Sequence, residues 1–285
     1  MAKIIFLILS GIAGLIFGSF FNCVINADRR GFMAPLAPSR RNAGIWFRRS
    51  ICPKCGHKLG VWDLIPIFSF IFLRGRCRYC KQAISWQYPI IEIITSALFI
   101  FVAWYYLIFN SQFSIINQFS IFNFLILIRG LFFVSVLLLI FVFDLKYQII
   151  PDRISIPALF IAVIFGVFLT LSTVNSRGAL IKLFLAILIG AGFFFAQYLL
   201  SKGKWIGGGD ICLGALMGAM LSWPNILVAL FLAYITGAIY GIVAIIFKKK
   251  TLKSAVPFGT FLTAATFITL FYGTKILDWY LNFIV

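Results

Sequence analysis

The chain has 285 residues, of which 62% are hydrophobic and only 11% are charged, and its mean hydropathy is +1.06. This composition excludes an ordinary soluble domain and indicates a polytopic membrane protein whose surface faces lipid. A formal net charge of +18 could also serve nucleic-acid binding, but the positions of the cations favour an explanation from membrane topology.

Apolar runs long enough to cross a bilayer recur along the chain, since a transmembrane helix needs roughly 20 apolar residues. They lie at residues 4–25, 89–109, 130–149, 154–173, 178–200, 225–247 and 257–284, and a shorter run at 211–222 makes eight. The first run lacks the small-residue cleavage site of a secretory signal, so we take it as the first helix. The sequence predicts an all-α polytopic membrane protein of about eight transmembrane helices.

A small soluble module between the first two helices, residues 28–88, carries two Cys-x-x-Cys pairs. Cys52 with Cys55 and Cys77 with Cys80 have close to the spacing of tetrahedral four-cysteine zinc sites. A disulfide pair is the alternative, but a cytoplasmic loop is kept reducing, so we predict a structural zinc ion. His57 could replace a thiolate, although four cysteines already suffice.

The cations are concentrated on one side of the predicted topology. Segments 28–88, 145–153, 201–208 and 248–254 hold 20 of the 25 Lys and Arg residues, whereas 110–120 and 222–225 hold none. The positive-inside rule places the first group in the cytoplasm and both termini outside. We therefore expect three segments: a first transmembrane helix (1–27), a cytoplasmic zinc-binding module with four cysteine ligands (28–88) and a membrane core of seven helices (89–285).

Two of the seven carboxylates, Asp144 and Asp210, lie beside apolar runs near the predicted cytoplasmic boundary. An ionised carboxylate at such a position is costly, so each is a candidate functional residue. If Arg129 marks the outer interface, Asp144 lies about 8 Å inside the cytoplasmic boundary. Counting back from the turn at Trp223 gives Asp210 a similar depth, after the glycine-rich segment 203–209. We expect both to share a water-accessible pocket.

Two carboxylates within a few ångströms of one another share one proton and titrate as a unit. The ionised member can then accept a proton from water while the protonated member polarises a peptide carbonyl. We interpret Asp144 and Asp210 as the catalytic dyad of a membrane aspartic protease, with a helix cap as the alternative for Asp210. Asp152, after Pro151, is a predicted N-cap, and Glu92 a predicted first-turn charge.

Several short motifs together resemble one known family over nearly the whole chain. They are Gly18-Ser19-Phe20-Phe21-Asn22, Arg49-Ser50-Ile51-Cys52-Pro53-Lys54-Cys55, Asp63-Leu64-Ile65-Pro66, Leu73-Arg74-Gly75-Arg76-Cys77-Arg78-Tyr79-Cys80, Tyr88-Pro89-Ile90-Ile91-Glu92, Asp144 ahead of Ile150-Pro151-Asp152, Gly207-Gly208-Gly209-Asp210 and Pro257-Phe258-Gly259. In this combination they resemble the type IV prepilin peptidases, bifunctional leader peptidases and N-methyltransferases of the GxGD type.

The resemblance implies that Asp144 and Asp210 are the catalytic pair. It implies cleavage of the short basic leader from type IV prepilin or pseudopilin precursors at the cytoplasmic face of the bacterial inner membrane, in pilus assembly or protein secretion. The expected partners are these precursors and the lipid bilayer, with no nucleic acid. Members often then methylate the new N-terminus with S-adenosylmethionine, but the sequence has no Gly-rich loop from which to derive that activity, and the cofactor-binding residues stay unknown.

Two positions depart from the family pattern, and two other functions deserve comparison. Cys212 stands where the family usually has lysine, and Ser96 follows Thr95 where a glycine often follows, which weakens the methyltransferase assignment more than the peptidase one. A proton-coupled transporter or channel would have carboxylates near the midplane and a related pair of halves, and the sequence shows no internal repeat. A membrane-anchored zinc scaffold with inert aspartates is the third option.

Overall fold

The computed structural model describes residues 2–27, 50–109, 121–172, 176–247 and 256–284, and these residues form an all-α protein. Within these ranges the β-structure is limited to two isolated bridges, Ile51 with Lys58 and Arg76 with Ala83. The helices are α1 (Ala2–Ala27), α2 (Phe68–Phe72), α3 (Gln87–Phe109), α4 (Ile121–Tyr147), α5 (Asp152–Leu171), α6 (Ser176–Ser201), α7 (Gly208–Leu221), α8 (Asn225–Ile246) and α9 (Phe258–Ile284), and a single 3-10 turn covers Val61–Asp63.

Seven of the described helices are long and apolar enough to cross a membrane, so the chain is a multi-pass membrane protein. They are α1, α3, α4, α5, α6, α8 and α9, which confirms the seven long runs predicted from hydropathy. The eighth predicted segment is the shorter apolar helix α7. Its 14 residues rise only about 21 Å, which is less than a hydrocarbon core of roughly 30 Å.

Helix α4 differs from the prediction at its start. It begins at Ile121, so Arg129 lies within the helix and does not mark its outer end. The predicted run 130–149 therefore starts nine residues too late, because the residues before Arg129 are also mostly apolar and continue the helix. Asp144 remains near the other end of α4, three residues before its last residue, Tyr147.

The chain divides into two compact units, Met1–Leu131 and Phe132–Val285. In the first unit α1 packs closely on α3 through glycines. A Cβ atom on Gly14 would lie 2.6 Å from Cα of Ser96, and one on Gly18 would lie 2.7 Å from Cα of Glu92. The Ser96 hydroxyl donates a hydrogen bond of 2.9 Å to the carbonyl of Gly11, so this departure from the family pattern stabilises the helix pair.

In the second unit, the short helix α7 is enclosed by protein. Its residues 213–221 are all buried, and the backbones of α6 and α7 meet where Gly190 faces Gly214. A Cβ atom on either glycine would overlap the other glycine's carbonyl. Lipid gives little hydrophobic drive for helix association, so close backbone packing through small residues is the usual way to hold such a pair.

Candidate active site and metal centre

Asp144 is buried where the end of α4 meets the beginning of α9. Its side chain is 5% exposed, and the backbone N–H of Thr260 donates a hydrogen bond of 2.7 Å to its Oδ2. The first N–H groups of a helix have no partner inside that helix, and the helix dipole favours negative charge there. The start of α9 therefore both satisfies the carboxylate of Asp144 and fixes its orientation.

Gly259 allows this approach. A Cβ atom at Gly259 would lie 3.0 Å from both Cγ and Oδ2 of Asp144, which is closer than ordinary van der Waals contact. The glycine of the Pro257-Phe258-Gly259 motif thus has a packing role beside the carboxylate. Sequence reasoning noted the motif only as part of the family resemblance.

Asp210 is the third residue of α7. The backbone N–H of Gly207 donates a hydrogen bond of 3.1 Å to its Oδ2, so the carboxylate does take part in capping its own helix. At Gly209, an added Cβ would lie 3.0 Å from Cβ of Ile150, in the connection between α4 and α5. This contact holds the N-terminus of α7 beside the segment that follows Asp144.

The two predicted catalytic residues, Asp144 and Asp210, both lie in the second unit, and each carboxylate accepts a backbone N–H beside the start of a helix. Asp152 instead lies exposed as the first residue of α5, and its predicted N-cap role is wrong because Pro151 occupies the N-cap position. The carbonyl of Pro151 accepts the N–H groups of Ile154 and Ser155.

A polar pair that sequence reasoning missed lies between α6 and α8. The side-chain amide of Gln197 and the hydroxyl of Tyr234 are joined by hydrogen bonds of 2.8 and 3.0 Å. The Tyr234 ring packs edge-on against Phe258, the residue before Gly259, with ring centroids 5.0 Å apart. The available signal was a glutamine and a tyrosine inside apolar runs, where polar groups need partners.

Glu92 lies in the first unit, far in sequence from Asp144 and Asp210, and its predicted first-turn position was wrong. Helix α3 begins at Gln87 because proline is tolerated in a first turn, so Glu92 is the sixth residue. The carboxylate is buried and accepts a hydrogen bond of 2.7 Å from the backbone N–H of Ile67. Ile67 has a φ of +61°, which is a strained conformation for a β-branched residue.

The four predicted metal ligands form one cluster. The Sγ atoms of Cys52, Cys55, Cys77 and Cys80 all lie within 4.8 Å of one another, and those of Cys52 and Cys80 are 4.0 Å apart. Zn–S bonds of about 2.3 Å in a tetrahedron place sulfur atoms about 3.8 Å apart, so the donor set fits zinc. None of the six cysteines, all of which are in the described residues, forms a disulfide.

The two cysteine knuckles repeat one local structure. The N–H of Cys52 donates to the carbonyl of His57, and that of Cys77 donates to the carbonyl of Gln82, at 2.9 and 2.8 Å. In each knuckle the residue four positions after the first cysteine has positive φ, Gly56 at +72° and Lys81 at +58°. This repeated turn points the two sulfur atoms of each pair toward a common centre.

The two knuckles differ in their electrostatics: the backbone of Gln82 lowers the pKa of the Cys80 thiol, but burial and the neighbouring cysteines together raise it to about 11, whereas Cys52 favours the thiolate. Burial opposes ionisation of Cys52, yet hydrogen bonds from the backbone of Cys55 and Lys54 lower its thiol pKa to about 7. The His57 ring lies against the ring of Tyr79, with centroids 3.7 Å apart. His57 thus has a packing partner outside the sulfur cluster.

Comparison with known proteins agrees with this geometry. Residues 12–106 match the family model of the bacterial peptidase A24 N-terminal domain, and residues 131–242 match that of the type IV leader peptidase family. A prepilin leader peptidase/N-methyltransferase of Aeromonas salmonicida is 30% identical over 291 residues, which cover 95% of this chain and 92% of that protein. The chain belongs to the type IV leader peptidase family.

Other members of the family are similar over most of their length. A protein of the same name from Legionella pneumophila is 30% identical over 246 residues, which cover 84% of this chain and 77% of that protein. Another from Pseudomonas aeruginosa is 29% identical over 294 residues, covering 98% and 94%. No solved structure matches the chain. The family resemblance read from the sequence is confirmed, and it makes this chain a member of a peptidase family.

Proposed function

We propose that the chain is a membrane aspartic endopeptidase that removes the short basic leader from type IV prepilin or pseudopilin precursors. The proposal is supported by the family and by the names of the relatives, which are prepilin leader peptidases. The observation that carries the mechanism is the placement of two carboxylates in the second unit, where the backbone N–H of Thr260 holds Asp144, the backbone N–H of Gly207 holds Asp210, and Gly209 packs against Ile150, six residues after Asp144. Two carboxylates a few ångströms apart in such a site would share a proton, which is the state that aspartic proteolysis requires.

In the proposed reaction, one carboxylate of the dyad is ionised and the other is protonated. The ionised group accepts a proton from water as the water oxygen attacks the scissile carbonyl carbon, and the protonated group donates its proton to the carbonyl oxygen. The tetrahedral intermediate then breaks its C–N bond: the leaving amine takes the proton accepted from water, and the second carboxylate takes back a proton from a hydroxyl of the intermediate as the new carboxyl group forms. The net reaction consumes one water molecule and restores the dyad without a covalent intermediate.

The backbone donors at the two helix starts would hold this dyad in place. Thr260 N–H orients the carboxylate of Asp144, and Gly207 N–H orients that of Asp210. Because Thr260 belongs to the first turn of α9 and Gly207 is the N-cap residue of α7, the carboxylates would need little reorganisation during the reaction. The glycines before Asp210 would let a substrate backbone approach without a side chain in the way.

We further propose that the four-cysteine cluster binds a structural zinc ion. Four thiolates leave no open coordination position for water or substrate, so the metal would stabilise the fold of the module without taking part in hydrolysis. Residues 28–88 would form a cytoplasmic zinc module between a first transmembrane helix, 1–27, and a peptidase core, 89–285. The support is the distribution of cations, which also favours a cytoplasmic catalytic pocket and termini on the outer side of a bacterial inner membrane.

The names of the relatives include a second activity, N-methyl transfer. We propose that the chain also methylates the new N-terminus, with S-adenosylmethionine as methyl donor. We assign no residue to binding this cofactor. Ser96, which holds α1 against α3, marks where this chain differs from the family pattern linked to that activity.

The test is to mix the purified chain with a synthetic prepilin precursor, with and without S-adenosylmethionine, and to measure product masses. We expect loss of the leader, and a further methyl group when the donor is present. Asp144→Asn and Asp210→Asn should each abolish cleavage, whereas Asp278→Asn, an exposed carboxylate of α9, should not. If the unmodified chain leaves the precursor intact, the peptidase proposal is refuted. If both asparagine variants still cleave it, the catalytic dyad is refuted and the aspartates have a different role.

A further inference from the structure

The cysteine module exposes a set of large apolar side chains on and around α2. Phe68, Ile71 and Phe72 have the i, i+3, i+4 spacing of one helix face and are 57%, 62% and 81% exposed. Trp86, directly before α3, is 69% exposed. Within the described residues nothing covers this face. A contiguous apolar patch of this kind marks a surface that binds something.

Two hydrogen bonds fix the level of this patch along the transmembrane helices. The hydroxyl of Ser19 in α1 donates to the carbonyl of Leu64 at 3.3 Å, and the N–H of Ile67 donates to Glu92 in α3 at 2.7 Å. Ser19 lies 16 residues after Lys3, a rise of about 24 Å, whereas the hydrocarbon core is about 30 Å thick. The segment around α2 therefore lies within about 6 Å of the level where headgroups meet acyl chains.

A basic cleft lies next to this apolar face. It encloses about 390 Å³ and is lined by Leu73, Arg74, Arg76, Cys77, Arg78 and Lys81. Arg78 is neutralised by Asp63, with Nε and Oδ1 2.7 Å apart. Arg74, Arg76 and Lys81 make no ion pair within the described part of the chain. The cleft thus presents three cations to an anion.

We propose that the surface formed by residues 64–81 binds an anionic phospholipid of the adjacent leaflet. The headgroup phosphate would lie in the cleft near Arg74, Arg76 and Lys81, and the acyl chains would pack on Phe68, Ile71 and Phe72. Charge decides between lipid and the precursor leader as the occupant. The leader is basic and would be repelled by this cleft, whereas an anionic lipid offers both a negative headgroup and apolar chains.

The first test measures lipid binding to the purified full-length chain by native mass spectrometry, with phosphatidylglycerol and phosphatidylcholine. Arg74→Gln, Arg76→Gln and Lys81→Gln should each weaken phosphatidylglycerol binding about fivefold, since one cation near an anionic surface contributes about that much. Lys202→Gln with Lys204→Gln, two exposed cations of another connection, is the charge-matched control and should not change it.

Two controls show whether a loss of binding comes from the lipid site itself. Zinc content is measured for each variant, because Arg76 adjoins a cysteine of the cluster, and only zinc-replete variants are compared. Inorganic phosphate is added as a competitor and should not displace the lipid. Displacement by phosphate alone would show a free-anion site. Unchanged phosphatidylglycerol binding in a variant that combines Arg74→Gln, Arg76→Gln and Lys81→Gln would overturn the proposal.

The second test does not depend on charge. Phe72→Trp introduces a fluorescent side chain on the apolar face, and the variant is measured in nanodiscs. Lipids with brominated acyl chains should quench its fluorescence, and iodide in the aqueous phase should quench it poorly. Lys58→Trp, at an exposed position of the first knuckle, should show the reverse. Quenching of the position-72 tryptophan by iodide would place the face in water and overturn the proposal. If added precursor reduces the quenching by brominated lipids, the precursor displaces the lipid, and the substrate is the occupant of this face instead.

Discussion

Replacement of Gly259 by alanine tests whether α9 positions Asp144, the proposed catalytic residue. The new Cβ would lie 3.0 Å from Cγ and Oδ2 of the carboxylate, whereas ordinary contact begins at 3.4 Å. Either the side chain of Asp144 or the first turn of α9 must therefore move by about 0.4 Å. The same displacement stretches the 2.7 Å hydrogen bond from Thr260 N–H, because Thr260 adjoins Gly259 in that turn.

The expected magnitude follows from these distances. Overpacking of this kind costs about 1–3 kcal/mol of stability. A misplacement of about 1 Å at a catalytic group reduces rates about 100-fold, so a shift of about half that size predicts a roughly tenfold lower kcat/KM. The assay is the rate of leader removal from the precursor, measured by mass spectrometry beside thermal unfolding of the same preparation.

The matched control is Gly241→Ala, in transmembrane helix α8. A Cβ at Gly241 meets nothing within 4 Å, so the same chemical change is made in a helix without a clash. It should leave the cleavage rate and the unfolding temperature unchanged. If Gly259→Ala cleaves the precursor at the wild-type rate while Asp144→Asn is inactive, the contact between Gly259 and the carboxylate does not position the dyad.

Three further changes probe the rest of the molecule. Cys52→Ser should lower bound zinc, measured by elemental analysis, below one ion per chain. Prolonged chelation of the unaltered chain should lower its unfolding temperature, and zinc-free protein of full stability would contradict the structural role. Glu92→Gln weakens a charged hydrogen bond of about 1.5–3 kcal/mol, so amide exchange at Ile67 should accelerate about tenfold or more. Gly214→Ala should prevent folding of the second unit, whereas Gly192→Ala, in open space, should be neutral.

Hydropathy located every long helix because a bilayer requires continuous apolar runs of nearly fixed length. The cysteine cluster was equally predictable, since a Cys-x-x-Cys turn places both sulfur atoms on one side of the chain and two such turns complete a tetrahedron. The proximity of Asp144 and Asp210 was predicted from matched depths. That estimate started the helix at Gly130, nine residues after its observed start at Ile121, but Asp144 still lies near the end of α4, three residues before Tyr147.

Contacts between segments far apart in the chain could not be predicted from the sequence. Nothing local indicates that the N–H of Ile67 reaches the carboxylate of Glu92, 25 residues later. The approach of Gly259 to Asp144 is equally non-local, because the two residues are 115 positions apart in the chain. Sequence patterns indicate the period of one helix or strand and where it begins and ends. They do not indicate which side chain of another helix fills the space beside a glycine.

Helix α7 links the packing of the second unit to its proposed chemistry. At about 21 Å it stops short of a full crossing, so an end of it must lie within the thickness of the bilayer. A chain end at that depth needs protein or water around its backbone, and the glycine contacts with α6 supply the protein. In the proposed reaction that end is the N-terminal one, which carries Asp210 in its first turn and brings its carboxylate to the level of the substrate's scissile bond. Lengthening α7 at its N-terminus by one turn would move Asp210 by about 5.4 Å. Zinc content should then persist in the first unit while leader cleavage is lost, and retained cleavage would contradict the dependence on this short helix.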